Sequence, residues 1–310
     1  MLFTEDLIQR IKELNPTVYV RTAKKADAES FVIFFNAYYK RKTTKEYFIW
    51  QFFESPYLSK LFLAFDGKDL VGCYGVKLHP LTDNSFSCFS VDFLIAQTHR
   101  KKGIAYLLDQ QVTNFCIENE ACCLTSLPNA YGNAAFKSLG SKSLIKVDSL
   151  ILSLDQWKKN VIDFSKNNEP AIDYIEFQKD QDYRKWRFDL NPLYKYKYTV
   201  LNDNCFAISK IFTDLHTNQL FYDIVEFHFD TLENANSLIQ LVISNIDLEK
   251  SAKLSIWALP HTKLYMLLIK IGFLHFENER YFCLKFFSRK FKYLADIKIW
   301  NISEADAEIY

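Results

Sequence analysis

Val91-Asp92-Phe93-Leu94-Ile95-Ala96-Gln97-Thr98-His99-Arg100-Lys101-Lys102-Gly103-Ile104-Ala105 is the stretch on which the fold turns. Phe89 to Ala96 is an apolar run of strand length, and it ends in a polar turn carrying Arg100, Lys101, Lys102 and Gly103. Apolar residues at helical spacing follow at once: Ile104, Leu107, Leu108, Val112, Phe115 and Cys116. A strand that passes through a basic glycine turn into a helix suits a phosphate. The first helical turn has backbone N–H groups without an internal acceptor, and its dipole favours an anion. Gly103 has no Cβ to keep an oxygen away from the backbone. Taken alone, these residues also fit an ordinary strand and helix joined by a solvated basic turn.

The downstream sequence adds a second landmark. Ala121 to Leu127 reads as a short strand, followed by Pro128-Asn129-Ala130-Tyr131-Gly132-Asn133-Ala134-Ala135-Phe136-Lys137-Ser138-Leu139-Gly140-Ser141. With both stretches in view, the chain resembles the GNAT superfamily of acyl-coenzyme A N-acyltransferases. Arg100 to Ala105 fits that family's (Gln/Arg)-x-x-Gly-x-(Gly/Ala) loop, and Asn129 to Gly140 fits its Asn-x-x-x-x-x-x-(Tyr/Phe)-x-x-Leu-Gly segment. The resemblance implies acyl-coenzyme A as co-substrate and no metal. It implies that Arg100, Lys101, Lys102, Gly103, Ile104 and Ala105 hold the pyrophosphate. Backbone groups of Leu94, Ile95 and Ala96 would bind the pantetheine arm, with Asn129, Asn133 and Phe136 beside it.

Composition bounds the alternatives. The chain has 310 residues, 49 % of them apolar and 16 % aromatic, which suggests two domains with sizeable cores. A formal net charge of +1 provides no surface for nucleic acid or an anionic membrane, so any phosphate affinity is local. None of the seven cysteines shows C-x-x-C spacing, so they read as buried, reduced thiols. Met1 to Asn15 is charged throughout and reads as an amphipathic helix rather than a signal peptide. No apolar run reaches bilayer-spanning length. The expected location is cytoplasmic, without membrane insertion.

The pattern from Thr17 to Leu154 is strand, helices, three strands, helix, strand, helix, strand, with Asp66-Gly67 as a hairpin turn. Then it begins again. Tyr47, Trp50, Phe52 and Pro56 recur as Tyr183, Trp186, Phe188 and Pro192, at a constant offset of 136 residues. Pro128 and Gly140 are echoed by Pro260 and Gly272, at an offset of 132. A repeat of domain size follows. The expected fold class is α/β with a mixed (α+β) sheet, built as two GNAT-like domains in tandem, the second degenerate. Residues 1–154 form the acyl-coenzyme A domain, 155–170 a polar linker, 171–287 the degenerate domain and 288–310 a tail. In the second copy the strand at Leu220–Phe229 meets Asp230-Thr231-Leu232-Glu233, which would repel a pyrophosphate, so only the first half should bind coenzyme A.

In this superfamily an amine attacks the thioester directly, so the protein positions reactants, takes a proton and stabilises charge. Asp92 interrupts an apolar strand, which costs free energy unless the carboxylate is paired, hydrated or used. Family members carry an acidic base earlier on this strand; Asp92 lies two residues from that position, on the same strand face. It is the candidate base, and a structural carboxylate is the alternative; His79 and His99 are further candidates. Phe136 stands where many members have the tyrosine that protonates the leaving thiolate. Either Tyr131 takes that role or none is needed, because a thiol's ordinary pKa is about 8.5.

The paired Tyr-x-x-Trp segments and the two halves resemble one subgroup, bacterial acyltransferases of nucleotide-linked amino sugars for surface polysaccharide and lipopolysaccharide synthesis. This implies transfer of an acetyl or 3-hydroxyacyl group to a dTDP- or UDP-linked amino sugar. Tyr38, Tyr39, Arg41, Lys42, Trp186 and Arg187 are available to bind it. The rivals are an acetyltransferase of protein or small-molecule amines and a tRNA-dependent ligase of cell-wall peptide synthesis. The resemblance implies no working coenzyme A loop in the latter, and the near-neutral charge provides no tRNA stripe.

Overall fold

The computed structural model describes residues 5–39, 42–154, 157, 174–214, 218–246 and 253–307. Arg41 and the linker 155–170, apart from Trp157, lie outside the described residues. Helix α1 (Glu5–Leu14) leads into β1 (Val18–Thr22), then α2 (Ala28–Tyr38) and α3 (Lys45–Phe53). The Tyr47 N–H donates to Thr44 Oγ1 at 3.2 Å, which caps α3. β2 (Ser59–Asp66) and β3 (Asp69–Pro80) form the hairpin expected at Asp66-Gly67. β4 (Phe86–Ile95) enters the basic turn, and α4 (Ile104–Glu118), β5 (Cys123–Ser126), α5 (Ala130–Ser138) and β6 (Lys142–Ser153) complete the first half.

Among the described residues the second half repeats this order from α3 onward. A short α6 (Gln181–Arg184) runs on into a π-helical turn at Lys185–Asp189. Then come β7 (Tyr196–Asn202), β8 (Cys205–Thr213), β9 (Leu220–His228), α7 (Leu232–Ser244), β10 (Lys253–Trp257), α8 (Lys263–Ile271) and β11 (Leu274–Phe286). At the start of α7 the Asn234 N–H donates to Thr231 Oγ1 (3.1 Å) and the Thr231 N–H to Asp230 Oδ1 (2.7 Å). This helix start is capped by its own acidic segment.

Among the described residues the strands form one mixed 11-stranded sheet, in the order β1-β2-β3-β4-β5-β11-β6-β10-β9-β8-β7. The halves exchange their last strands. β11 lies between β5 and β6, antiparallel to both, and β6 lies between β11 and β10. Core packing follows the exchange: Phe282 and Leu284 of β11 join the first half's core, and Leu150 and Leu152 of β6 join the second's. Each half's hydrophobic layer is therefore closed by the other's strand, which makes the two interdependent.

The repeated aromatic segments meet where the halves join. The Trp50 and Trp186 rings stack with centroids 4.4 Å apart and planes within 12°. The Trp50 Nε1–H donates to the Trp186 carbonyl (2.9 Å), and the Trp186 Nε1–H donates to that of Trp50 (3.0 Å). Such a stacked pair contributes about 0.5–1.5 kcal/mol beyond its buried area. The tail forms 3₁₀ turns, with one β-bridge from Trp300 to Ile175. Buried ion pairs Lys179–Asp306 (2.8 Å) and Lys210–Glu304 (2.9 Å) hold its end on the second half. All seven cysteines are free and buried. Among the described residues no helix is long and apolar enough to cross a membrane.

Candidate active site

β4 and β5 run parallel only where Ser87–Phe89 face Cys123–Thr125. Beyond that β4 continues to Ile95, while the chain after Ser126 turns through Leu127-Pro128 into α5. The strands part, and the gap opens a cavity of about 280 Å³. One wall is Phe89 to Phe93, and the opposite wall is Ser126 to Asn129, Gly132 and Phe136. Tyr39, Lys42, Tyr47 and Gln51 come from the α2–α3 region. The second half adds Leu193, Arg280 of β11 and Ala307 of the tail. Strand exchange brings Arg280 here, since Cys283, three residues on, pairs with Ser126 at the end of β5.

Asp92 lies on this cavity's β4 wall. Register between β3 and β4 slips there: Gly75 faces Val91 and Cys73 faces Leu94, so Asp92 and Phe93 share the place opposite Tyr74. This is a β-bulge, and Asp92 takes φ 48° within it. Aspartate tolerates the left-handed region better than most residues. The carboxylate accepts a hydrogen bond from the Tyr47 hydroxyl (Oδ2, 3.3 Å), and the Cys73 thiol donates to the Asp92 carbonyl (3.1 Å). Residues 94–96, expected beside the pantetheine arm, are not among those lining the cavity. Phe89 to Phe93 line the cavity, whereas Leu94 and Ala96 are buried beneath it, Ile95 is half-buried, and the Ala96 N–H donates to Val71 O (2.8 Å) on the β3 side.

The basic turn is a 3₁₀ turn at Gln97–His99 followed by Arg100–Gly103, with Lys101 at φ 64° and Gly103 at φ 85° as the residue before α4. Lys101 and Lys102 are exposed. The amides of Ile104 and Ala105 fall in the first helical turn, where the helix supplies no i−4 acceptor. Arg100 Nε–H donates to Ile95 O (3.3 Å), which folds its side chain back on the strand end. Helix α1 packs on this turn: Asn15 Nδ2 donates to Lys102 O (3.0 Å), and a Cβ on Gly103 would lie 2.8 Å from Ile11 Cγ2. Gly103→Ala is therefore expected to cost about 1–3 kcal/mol, combining left-handed strain with the clash. A thermal melt measures it, and an unchanged Tm would contradict the geometry.

The other expected site residues divide. Asn129 lines the cavity and caps α5, accepting from the Gly132 N–H (2.9 Å). Phe136 lines it too, packed against Phe93 and Tyr74. Asn133 faces inward instead, its Oδ1 accepting from the Ser143 hydroxyl (3.0 Å) and the Cys283 thiol (3.4 Å). Lys42 lines the cavity, with Nζ donating to Asn36 O (2.6 Å). Tyr39 does too: although 41 % of the residue is exposed, burial around its hydroxyl and the nearby Asp92 charge push its pKa up to about 12. Tyr38 packs edge-on against Phe34, away from this wall.

Three expectations are corrected. Tyr131 is 88 % exposed on the outer side of α5, so it does not face the cavity as a proton donor. Trp186 is buried against Trp50, and Arg187 is buried with a guanidinium N–H donating to Tyr196 Oη (3.0 Å). Neither is among the residues lining the cavity: Trp186 joins the halves through Trp50, and Arg187 is held within the second half beside Tyr196. The histidines are structural as well. His79 is buried among Tyr57, Phe177 and Tyr183, and His99 Nε2 lies 3.1 Å from Asp66 Oδ2 at the hairpin turn. Sequence reasoning missed Tyr47, Gln51 and Arg280 as wall residues. Tyr47 carried one signal, its place in the repeated Tyr-x-x-Trp segment.

No protein-family model matches the chain, and no curated protein matches its sequence. Solved structures match its fold. A GCN5-related N-acetyltransferase from Kribbella flavida is 9 % identical with a TM-score of 0.58, over 87 % of this chain and 72 % of that one. Another from Anabaena variabilis is 12 % identical with a TM-score of 0.61, over 86 % and 72 %. A GCN5-related glucosamine N-acetyltransferase region of a fungal multi-domain enzyme is 11 % identical with a TM-score of 0.54, over 86 % of this chain and 38 % of that one. The chain has the GNAT fold, and the neighbours span both of its halves.

Proposed function

We propose that the protein transfers an acyl group, acetyl or 3-hydroxyacyl, from acyl-coenzyme A to the amine of a nucleotide-linked amino sugar. The observation that carries this reading is the parted β4–β5 cleft, with Asp92 on a bulge in one wall and a basic glycine turn opening a helix at the end of the same strand. Residues 1–154 then form the acyl-coenzyme A domain. Residues 171–287 form a degenerate partner that completes the pocket, since the start of α7 is acidic where α4 begins with cations.

In the mechanism, the first-turn amides of α4 and the side chains of Arg100, Lys101 and Lys102 bind the pyrophosphate, with Ile104 and Ala105 presenting those amides. The pantetheine arm lies in the cleft beside Asn129 and Phe136. Asp92 accepts the proton of the attacking amine. Nitrogen bonds to the thioester carbon, the C–S bond breaks, and coenzyme A leaves as thiolate. Phe136 donates no proton, and Tyr39, with a pKa near 12, is too weak an acid to protonate a thiolate of ordinary basicity. The leaving group therefore departs as the thiolate, with Tyr39 donating a hydrogen bond to it rather than a proton.

Cations on the acceptor side favour a substrate that carries negative charge besides its amine. Lys42 and Arg280 line the cavity with Tyr39, and Arg280 and Arg100 both act electrostatically on the Tyr39 hydroxyl. The glucosamine N-acetyltransferase among the fold's neighbours is consistent with an amino sugar. Thiol release should be measured with acetyl- and 3-hydroxyacyl-coenzyme A against dTDP- and UDP-linked amino sugars, free glucosamine and a peptide amine. Turnover with a nucleotide-linked sugar, well above that with glucosamine, is expected. Preference for the peptide or for glucosamine would overturn the acceptor assignment.

A further inference from the structure

We infer that Tyr47 is a positioning residue for Asp92, and that through Tyr47 the second half of the chain holds the proton-accepting carboxylate in place; this rests on the acyl-transfer reading above. Three observations converge on it. First, the Tyr47 hydroxyl donates to Asp92 Oδ2 (3.3 Å) from the helix that faces β4 across the cavity. Second, Asp92 sits at φ 48° in a bulge, which re-aims its side chain out of the regular strand alternation, and Tyr47 meets it there. Third, Tyr47 is buried in a cluster formed by both halves: Tyr47, Trp50, Tyr183 and Trp186, with Tyr57 and Leu193 packed against it. The Tyr47 ring lies 5.7 Å from that of Trp50, and Trp50 is locked to Trp186 by stacking and by the reciprocal indole hydrogen bonds. Leu193 of the same cluster reaches the cavity wall.

The chain of contact thus runs from the second half, through Trp186, Trp50 and Tyr47, to the carboxylate. It gives the degenerate half a role in the chemistry that needs no coenzyme A site of its own. The two copies of the aromatic segment clasp each other, and the first reaches the Asp92 carboxylate.

Several groups face Asp92 from the elements around it. Tyr47 comes from α3, Tyr39 from α2, Lys42 from the segment between them, Cys73 from β3 and Arg280 from β11. Burial, reinforced by the Asp92 charge, holds the Cys73 thiol well above its ordinary range, so it stays protonated. Tyr39 stays protonated for the same reasons. Removing only the Tyr47 hydroxyl leaves all of these in place.

A donated hydrogen bond favours the ionised carboxylate, so its loss raises the Asp92 pKa. Because the base must be ionised to act, the acid limb of the kcat/KM–pH profile should move upward in Tyr47→Phe by about one pH unit. The rate should fall more below that limb than on the high-pH plateau, with coenzyme A affinity unchanged. Trp186→Phe, which removes the indole donation to Trp50 while keeping an aromatic ring, should move the same limb by less. Melting curves of both variants are recorded beside the kinetics. A uniform loss at every pH in Tyr47→Phe would mean that Tyr47 only packs, and would overturn the inference. An unmoved limb in Trp186→Phe would remove the second half from it. If the wild-type protein transfers no acyl group to any amine at any pH, the acyl-transfer reading itself fails, a result distinct from either of these.

Discussion

Asp92→Asn is expected to lower kcat by about 10²–10⁴-fold while leaving coenzyme A affinity within about twofold, the range typical of losing a positioned general base. The substitution isolates the proton-accepting step. Asparagine has the same shape and, like aspartate, tolerates the left-handed backbone that the bulge imposes at φ 48°. Its carbonyl oxygen still accepts from the Tyr47 hydroxyl, so the cavity wall keeps its packing. Residual turnover then comes from bringing amine and thioester together, and the wild-type acid limb should vanish from its pH profile. Alanine would be a poorer probe, because it adds backbone strain to the lost carboxylate. A wild-type rate for the asparagine variant at all pH values would remove Asp92 from the mechanism.

The second large effect is expected at the anion site. Ala105→Glu places a carboxylate in the first turn of α4, where the helix dipole itself favours negative charge. The fold should therefore survive, while the carboxylate competes for the amides meant for the pyrophosphate. Two like charges 4 Å apart at an effective dielectric near 20 repel by about 4 kcal/mol. Even with solvent screening reducing this by half, to about 2 kcal/mol, coenzyme A should bind about 30-fold more weakly. Gly103 is a less clean position, since any side chain there collides with Ile11 and would disturb α1 as well. Unchanged affinity in a normally melting Ala105→Glu protein would mean that the anion site lies elsewhere.

What could be read from the sequence was whatever depends on neighbours along the chain. The Asp66-Gly67 hairpin and the basic turn opening α4 are local signals, and the structure contains both of them. The duplicated Tyr-x-x-Trp segment was visible as a repeat, but its purpose was not. Aromatic and basic side chains that suit a nucleotide equally suit a buried core, and Trp186 is buried against Trp50 and Arg187 beside Tyr196. The bulge at Asp92 was hidden because alternation assumes a regular strand, and one extra residue shifts every later side chain. Arg280 was out of reach for a different reason. Only the exchange of β6 and β11 carries it to the cleft, and that pairing is decided by packing between halves. Tyr131 shows the limit of spacing arguments: five residues before Phe136, it lies on the exposed side of α5 rather than the cavity side.

Calorimetric titration of the purified protein with coenzyme A decides whether the chain has one working coenzyme A site, in its first half. Binding at one-to-one stoichiometry, lost in Ala105→Glu but retained in Asp92→Asn, is the expected result. No binding by the wild-type chain, or two equivalents bound per chain, would contradict it.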